Sequence, residues 1–307
     1  MTRRVANVYL GTSEFAATVL RRLAASPHRP ALCLTPPDRP RGRGQRLASP
    51  PAAEAARELG IEVLQVESVN EPAAVETIRS ASPELGTVCA FGQLIKEPLL
   101  AELPMLNVHP SLLPRWRGAA PIERAIMARD ERTGVSVMRV TAGLDSGPVA
   151  LQESTGIGRE EDCGSLAARL SRLGGELIVR ALDLHAAGEL TFSDQDDSAA
   201  TYAEKIDPAE RRLDPSRPAV ELAAKVRALT PHIGAYVELD GGGRLGVGRA
   251  IASEDGVEAG ELQAADAGVL LGCGSGVLRL EEVQPPGGRP MSAAAYLRGH
   301  DLPARSA

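Results

Sequence analysis

The chain has 307 residues, 43% of them hydrophobic and 24% charged, and a formal net charge of −6. An apolar content of this size can form a core, which excludes a wholly disordered chain, and no apolar run approaches the ~20 residues that cross a bilayer. The acidic balance and the aromatic content of 3% argue against a protein that coats nucleic acid through overall positive charge or base stacking.

Residues 1–188 alternate short apolar runs with helical patterns. The apolar runs predict six strands: Val5–Leu10, Ala31–Leu34, Ile61–Val66, Leu85–Phe91, Met105–Val108 and Gly134–Val140. Helices fit between most of them, beginning with one that Thr12 or Ser13 can cap and continuing with an alanine-rich helix over about Ala52–Leu59. Because repeated strand–helix–strand units form a mostly parallel sheet covered on both faces, an α/β fold is predicted, with ligands beyond the carboxyl ends of the strands.

The remaining elements indicate a second domain. A long helical pattern from about Gly164 to His185 carries leucines at the spacing of a core-facing side. Further on, one helix is expected at Pro218–Leu229, followed by short β-like runs that glycine-rich turns separate. The predicted organisation is a catalytic domain over residues 1–188, a polar linker over residues 189–207 and a small β-barrel domain over residues 208–307.

The densest group of reactive residues lies in the segment LNVHPSLLPRWRGAAPI, residues 106–122. Asn107 and His109 alternate along a strand and therefore project on the same side of it. Asp145 lies between two glycines in TAGLDSGP, which allows a close approach to another group. Such a set suits acyl transfer, because Asn can donate to a developing oxyanion, His can move a proton and Asp can orient or charge the His. From spacing alone, a hydrogen-bonded loop His and a turn-forming Asp remain the more common alternative.

Several other kinds of site are poorly supported. The chain has no G-x-S-x-G, no H-E-x-x-H and no Walker A sequence, and no G-x-G-x-x-G follows the first strand. The scattered cysteines lack zinc spacing, so neither a structural zinc nor a disulfide framework is expected, and reduced thiols suit a cytoplasmic protein. The basic and then apolar first residues have no small-residue cleavage site and are predicted to form a strand, not a signal peptide.

An arginine-rich segment, Pro36–Pro51, follows the second predicted strand. Against a single acidic residue, Asp38, it carries four arginines: Arg39, Arg41, Arg43 and Arg46. Its prolines and glycines predict a mobile, non-helical loop. One interpretation is a solvated surface loop, and the other is a loop that contacts the phosphates and base edges of RNA through arginine.

LNVHPSLLPRWRGAAPI together with GLDSGPV is similar to the signature of the folate-dependent formyltransferases. The motifs that extend this resemblance over nearly the whole chain are GTSEF, PPDRPRGRGQRLASPP, AFGQLI, TYAEKID and LTPHIGAYV. Within the family, RWRGAAPI resembles the members that act on methionyl-tRNA. The resemblance implies a Rossmann-like formyltransferase domain, a linker and a C-terminal OB-like barrel that helps to hold tRNA.

The resemblance also assigns residues. The catalytic positions it implies are Asn107, His109 and Asp145. The folate-contacting positions it implies are Ser111, Leu112, Leu113 and Pro114. The family's insertion loop contacts the acceptor stem of tRNA, which favours tRNA contacts by the four arginines of the Pro36–Pro51 segment. Pro110, Phe91 and the pair Ile95-Lys96 depart from the usual residues of the tRNA-specific members, and none of these changes removes a catalytic group.

The expected activity is transfer of a formyl group from 10-formyltetrahydrofolate to the amino group of methionine on initiator tRNA, a step of translation initiation. We expect a cytoplasmic monomer that needs no metal and contacts no membrane. The alternatives are another folate-dependent formyltransferase with a small substrate, a 10-formyltetrahydrofolate hydrolase, and an RNA-binding module with a degenerate catalytic domain. The C-terminal domain has 11 Arg and Lys against 13 Asp and Glu, so its contribution to RNA binding depends on a clustered basic face.

Overall fold

The structure is a computed structural model that describes residues 3–41, 46–254, 256–266 and 268–306, with Arg41 described by its backbone alone. The chain divides into two compact units. The first comprises Met1–Gly118, Arg132–Gly156 and Ala167–Tyr202, and the second comprises Ala119–Glu131, Ile157–Leu166 and Ala203–Ala307. The domain boundaries at residues 188 and 208 stay predictions, since the second compact unit also takes in two segments from the first 188 residues.

The strands in chain order are β1 (Asn7–Gly11), β2 (Leu32–Thr35), β3 (Arg39–Arg41), β4 (Arg46–Ala48), β5 (Glu62–Gln65), β6 (Leu85–Cys89), β7 (Met105–His109), β8 (Arg117–Gly118), β9 (Arg132–Arg139), β10 (Val149–Gly156), β11 (Tyr202–Ala203), β12 (Ala235–Glu238), β13 (Arg244–Ser253), β14 (Leu262–Ala265), β15 (Gly268–Gly272), β16 (Val277–Gln284) and β17 (Met291–Ser292). The α-helices are α1 (Glu14–Ala24), α2 (Pro51–Glu58), α3 (Pro72–Ser80), α4 (Leu99–Glu102), α5 (Pro121–Met127), α6 (Cys163–Ala187), α7 (Ala219–Leu229) and α8 (Ala293–Leu297). Short 3₁₀ turns occur at Asp197–Ala199 and Pro208–Arg211. Among the described residues, no helix has the length and apolar character needed to cross a bilayer.

The first unit contains a seven-stranded sheet in the order β10-β9-β7-β6-β1-β2-β5. The five strands from β7 to β5 are parallel, whereas β9 runs antiparallel to β7 and β10 antiparallel to β9. All six predicted strands are present, and the mostly parallel α/β sheet is confirmed. The sequence reading missed β10, because this edge strand is polar and largely exposed and lacks the apolar run of a buried strand.

The chain order of the strands reverses between β1 and β6, which are neighbours at the centre of the sheet. At such a switch point the loops beyond adjacent carboxyl ends diverge, and ligands of α/β sheets bind in the resulting crevice. Two of these loops are joined where Thr12 Oγ1 donates a 2.7 Å hydrogen bond to the carbonyl of Phe91. Next to Thr12, Ser13 caps α1 by accepting from Ala16 N, as predicted. The candidate site lies on β7, beside β6.

The second unit contains an antiparallel sheet in the order β12-β13-β16-β15-β14, with β17 paired to β16. Helix α7, which the sequence predicted, contributes Leu222 and Val226 to a core with Val247, Leu278 and Leu280. Strands β14 and β17 and helix α8 were not predicted. The fold class, a Rossmann-like sheet with a second, small β domain, is confirmed.

Candidate active site

Strand β7 carries two of the three predicted catalytic residues, Asn107 and His109. They are paired with Met138 and Ser136 of β9, and because side chains alternate along a strand they project on the same side of the sheet. His109 is 4% exposed and Asn107 is partly buried. The strand therefore places both polar side chains within the fold and next to each other, as predicted.

Asp145 reaches these residues by a route that the sequence did not predict. The strand that precedes it, β9, is not one of the parallel strands, because it is antiparallel to β7 and ends beside Met105. The loop after β9 instead brings Asp145 to the β7 side chains. Its Oδ1 lies 3.4 Å from Asn107 Nδ2, and its Oδ2 lies 3.6 Å from His109 Nδ1.

The backbone around Asp145 is held in a conformation that few residues adopt. Asp145 has a φ of 46°, in the left-handed region. Two positions later Gly147 passes so close to Arg139 that a Cβ would overlap its carbonyl oxygen, so only glycine fits there. A third contact, a 2.9 Å hydrogen bond from Gly118 N to Asp145 Oδ2, fixes the carboxylate. Gly147, one of the two glycines on either side of Asp145 in the sequence, thus allows the loop to pass close to Arg139.

The hydrogen bonds of His109 define how its ring can act. Nε2 lies 2.8 Å from the carbonyl oxygen of Trp116, and because a carbonyl can only accept, Nε2 carries a proton. When the ring is protonated, Nδ1–H points to Asp145 Oδ2 at 3.6 Å. The Nε2–H therefore has an acceptor, and a carboxylate oxygen lies near Nδ1. A distance of 3.6 Å exceeds a direct hydrogen bond, so Nδ1–H can also donate to an oxygen that enters beside Asp145.

The predicted folate segment, Ser111 to Pro114, follows directly after β7. Its backbone is held by Ser136, whose hydroxyl donates to Ser111 O at 2.6 Å and accepts from Leu113 N at 3.1 Å. Gln152 Nε2 donates to both Leu113 O, at 2.8 Å, and Ser136 Oγ, at 2.9 Å. Ser111 and Ser136 are both fully buried. The segment is thus tied to β9 and β10 through a polar network.

The Pro36–Pro51 segment forms a two-stranded antiparallel ribbon, β3 with β4, which we call the arginine hairpin. Among the described residues of the segment, 39–41 and 46–48 form strands, as expected of a non-helical loop, and helix α2 begins at Pro51. Arg39 and Arg46 are exposed, and Arg39 contacts the equally exposed Glu67 at 3.6 Å. Arg43 and the side chain of Arg41 lie outside the described residues. Leu47 is 72% exposed, so the hairpin presents an apolar side chain beside its cations.

The base of the arginine hairpin is anchored by a small polar network. Asp38 Oδ1 accepts from Ser49 Oγ and from Gln65 Nε2, both at 2.7 Å. Arg57 donates to the same two partners, Ser49 and Gln65. The hydrogen bonds from Gln65 and Ser49 lower the pKa of the Asp38 carboxyl. The ends of the hairpin are therefore fixed, whereas the side chains of Arg39 and Arg46 are exposed to solvent.

Positive charge on the second unit is partly neutralised. Glu238 contacts Arg212 at 3.0 Å and Arg244 at 3.6 Å. Glu281 in the same way contacts Arg249 and Arg279, both at 3.0 Å. Two arginines share one carboxylate in each cluster, so the basic groups of this unit form mixed networks on the surface.

A metal site and a nucleophilic cysteine both find little support. Among the described residues, no group of three or more His, Cys, Asp and Glu side chains is arranged to hold a metal ion. The four cysteines are buried free thiols. Burial raises the pKa of Cys33 and of Cys89 to about 12, so neither forms the thiolate that a nucleophile requires near neutral pH.

Sequence reasoning missed three residues that support the site: Ser136, Gln152 and Gln195. Ser136 has a detectable signal, since it is a hydroxyl in the apolar strand GVSVM and must find a partner when buried. Gln152 lies in the missed edge strand β10. Gln195 lies in the predicted linker, where nothing distinguishes it from other polar residues.

Comparison with known proteins shows that the chain is similar to formyltransferases over most of its length. The family described as "Formyl transferase" matches residues 3–182, and "Formyl transferase, C-terminal domain" matches residues 205–301. The chain is 43% identical to the methionyl-tRNA formyltransferase of Pseudomonas paraeruginosa, over 94% of this chain and 93% of that one. It is 42% identical to that of Methylococcus capsulatus, over 96% and 97%. Among solved structures, HypX from Aquifex aeolicus in complex with tetrahydrofolic acid has the same fold, with a TM-score of 0.64 and 17% identity over 96% of this chain and 47% of HypX.

Proposed function

The chain belongs to the methionyl-tRNA formyltransferase family, and we propose that it formylates the methionine of initiator tRNA through Asn107, His109 and Asp145. The formyl donor is 10-formyltetrahydrofolate. The observation that carries the residue assignment is the cluster itself. Asp145 and Asn107 are 38 residues apart in the sequence, yet one carboxylate lies within 3.4 Å of Asn107 and 3.6 Å of His109.

The cluster suits the charge that develops during transfer. The methionine amine attacks the formyl carbon, so a new C–N bond forms and the carbonyl oxygen becomes negative. The second N–H of the Asn107 amide and the Nδ1–H of protonated His109 donate to this oxygen. Donors that are already in place before the reaction stabilise such a charge without reorganisation.

Proton transfer completes the reaction. The attacking nitrogen loses one proton towards Asp145 through a water molecule. The bond between the formyl carbon and N10 of the donor breaks, and the proton passes from Asp145 to N10 through water. Tetrahydrofolate then leaves, and the Asp145 carboxylate is restored without a net change in protons. Before the attack, the Asp145 carboxylate lies 3.6 Å from His109 Nδ1 and attracts the positive charge of the imidazolium.

The two substrates are assigned to different segments. Ser111, Leu112, Leu113 and Pro114 line the pterin pocket and bind mainly through backbone groups, because Ser136 and Gln152 hold that backbone in one conformation. The arginine hairpin, with Arg39, Arg41, Arg43 and Arg46, contacts the tRNA acceptor stem. We propose that the protein acts as a cytoplasmic monomer, with the domain boundaries near residues 188 and 208.

The alternatives differ in the formyl acceptor. A small-substrate formyltransferase would modify a sugar or nucleotide amine, and a hydrolase would release formate. The identity of 43% over nearly the whole length of a protein named methionyl-tRNA formyltransferase favours tRNA.

A single assay separates these activities. Purified protein and a formyl-labelled folate are mixed with methionyl initiator tRNA, a small amine or buffer alone, and the labelled product is identified. We expect label on methionyl-tRNA, lost in His109→Ala and retained in His185→Ala, a matched change at the end of α6. Label on the small amine, or formate without an acceptor, would reject the tRNA assignment.

A further inference from the structure

The predicted linker is docked against the catalytic loop. Ser193 and Val149 exchange two backbone hydrogen bonds, of 2.8 and 2.9 Å, directly after the Asp145 loop. Arg139, at the start of that loop, stacks its guanidinium over the ring of Phe192 at 4.2 Å. The segment Ser193–Thr201, which we call the strap, therefore lies along the loop instead of leaving the first unit freely.

Gln195 clamps the backbone on both sides of Asp145. Its Nε2 donates to Asp145 O at 2.8 Å and to Gly147 O at 2.7 Å. Its Oε1 accepts from Arg117 Nε at 3.0 Å. Two carbonyls at one end and a guanidinium at the other leave a single possible orientation of the amide. The amide thus spans the left-handed turn that aims the Asp145 carboxylate.

Arg117 anchors this amide from the opposite side. The residue is only 3% exposed, and its Nη2 donates to Asp197 Oδ1 of the strap at 2.7 Å. Burial alone would lower the pKa of Arg117, but hydrogen bonds with Asp197 and Tyr202 outweigh this effect and raise the pKa. The guanidinium is thus permanently charged and donates to two strap residues, Gln195 and Asp197.

The strap also holds the second partner of His109. Thr201 Oγ1 accepts from Trp116 N at 2.9 Å, and Thr201 O accepts from Arg117 N at 2.9 Å. Trp116 has a φ of 63°, and its carbonyl is the acceptor for His109 Nε2. Both acceptors that face His109 therefore belong to left-handed residues, Asp145 and Trp116, and each is tied to the strap.

We propose that Gln195 and Thr201 are positioning residues for formyl transfer, and that they act by fixing the two groups between which His109 is held. The proposal rests on the assignment of His109 and Asp145 as catalytic residues. Neither Gln195 nor Thr201 contacts the reacting atoms. Their loss leaves both substrate pockets in place but allows the carboxylate and the Trp116 carbonyl to move relative to the imidazole ring.

The decisive variant is Gln195→Glu. A glutamate keeps the size of the side chain and an acceptor for Arg117, but it replaces Nε2, with its two N–H donors, by one carboxylate oxygen that faces two carbonyls. A displacement of about 1 Å in a reacting group can cost about 10²-fold in rate, so we expect kcat to fall by at least about tenfold. The KM values for both substrates and the Tm should stay close to those of the parent.

Two further variants are compared with Gln195→Glu, one expected to lower kcat and one expected to leave it unchanged. Thr201→Val removes the acceptor for Trp116 N at constant shape and should lower kcat in the same manner. Asp194→Ala changes an exposed side chain on the other side of Gln195, so it should leave kcat unchanged. If Gln195→Glu does not yield folded protein, Gln195→Met removes the donors without adding charge and gives the same readout.

A double-mutant cycle with Asp145→Ala separates positioning from general stabilisation. If Gln195 acts through Asp145, then Gln195→Glu has no further effect on kcat once the carboxylate is absent, because residues that act as a unit are not additive. Normal kcat in Gln195→Glu, or an additive loss in the double variant, would overturn the positioning role. Normal kcat in Asp145→Ala would instead overturn the catalytic assignment on which the proposal rests.

Discussion

The catalytic cluster and the arginine hairpin lie in the same compact unit but are built in opposite ways. His109 is 4% exposed, and every polar atom of its ring faces a partner in the chain. The hairpin exposes Arg39, Arg46 and Leu47, and its fixed contacts are at its base around Asp38. The cluster is therefore buried and held by contacts within the chain, whereas the hairpin is exposed to solvent beyond its base.

The difference fits the role that we propose for each region. Stabilising a short-lived oxyanion requires donors fixed to within fractions of an ångström before the reaction begins. Holding a nucleic acid requires charge that can reach several phosphates, for which long, solvated arginines are suited. Substitutions in the cluster should accordingly change turnover, and substitutions in the hairpin should change the affinity for one substrate.

The largest effect is expected at the cluster. His109→Ala and Asp145→Ala should each lower kcat by at least about 10²-fold, the loss seen when a positioned oxyanion donor or proton-transfer group is removed. Circular dichroism should show that both variants keep the fold, although Tm should fall because Trp116 O loses its donor in one variant and Gly118 N loses its acceptor in the other. Near-normal turnover of methionyl-tRNA in either variant would refute the role of that residue.

An intermediate effect is expected at the folate segment, where backbone recognition can be tested against side-chain recognition. Ser136→Ala removes hydrogen bonds to Ser111 O and Leu113 N, and each buried group left unpaired costs ~1–3 kcal/mol. The KM for the folate donor should rise about tenfold, which corresponds to ~1.4 kcal/mol.

Ser111→Ala is the matched control, because it removes a hydroxyl of the same segment but leaves the backbone contacts in place. Its hydroxyl donates to Arg115 O at 2.6 Å and is not tied to β9. We expect a smaller rise in the folate KM than for Ser136→Ala. A larger effect from Ser111→Ala would show that its side chain, not the backbone, recognises the donor.

A smaller effect on affinity, restricted to one substrate, is expected at the hairpin. Alanine at any of its four arginines should raise the KM for methionyl-tRNA and leave the folate KM unchanged. Each lost phosphate contact should reduce the slope of log affinity against log salt by ~0.7–0.9. Steady-state kinetics at two salt concentrations, with the exposed Arg79→Ala on α3 as control, measure both quantities.

Two results would change this interpretation. A rise in the folate KM without a change in the tRNA salt dependence would mean that the hairpin covers the folate pocket. Unchanged tRNA kinetics in all four variants, Arg39→Ala, Arg41→Ala, Arg43→Ala and Arg46→Ala, would leave the hairpin as a solvated insertion and remove the functional contrast with the cluster.

The smallest effect is expected at the anchor of the hairpin. Asp38→Ala frees the base and should raise the KM for methionyl-tRNA by about two- to fivefold. Because hydrogen bonds lower the pKa of Asp38 in the folded state, its anchoring is complete above the ordinary Asp pKa and is lost as the pH falls through the lowered value. The parent and Asp38→Ala should therefore converge in tRNA KM on acidification, and a constant difference would refute the anchoring role.

The sequence by itself determined much of the fold and the identity of the reactive groups. Apolar runs alternating with helical patterns predicted the strands of the parallel sheet, because burial between two helical layers imposes that pattern on each strand. The period of two in a strand placed Asn107 and His109 on one side. Both are local properties, which depend on residues within one element and can be read from it.

Only the tertiary structure decided how Asp145 comes to lie beside Asn107 and His109 and which residues hold it there. The antiparallel direction of β9, the return of Asp145 towards β7 and the amide clamp of Gln195 join residues 38 and 50 positions apart. A hydrogen bond between distant segments leaves no periodicity in the sequence, and Gln195 is one polar residue among many in its stretch. The chemistry was therefore readable from motifs, whereas its geometry depends on contacts that exist only once the chain has folded.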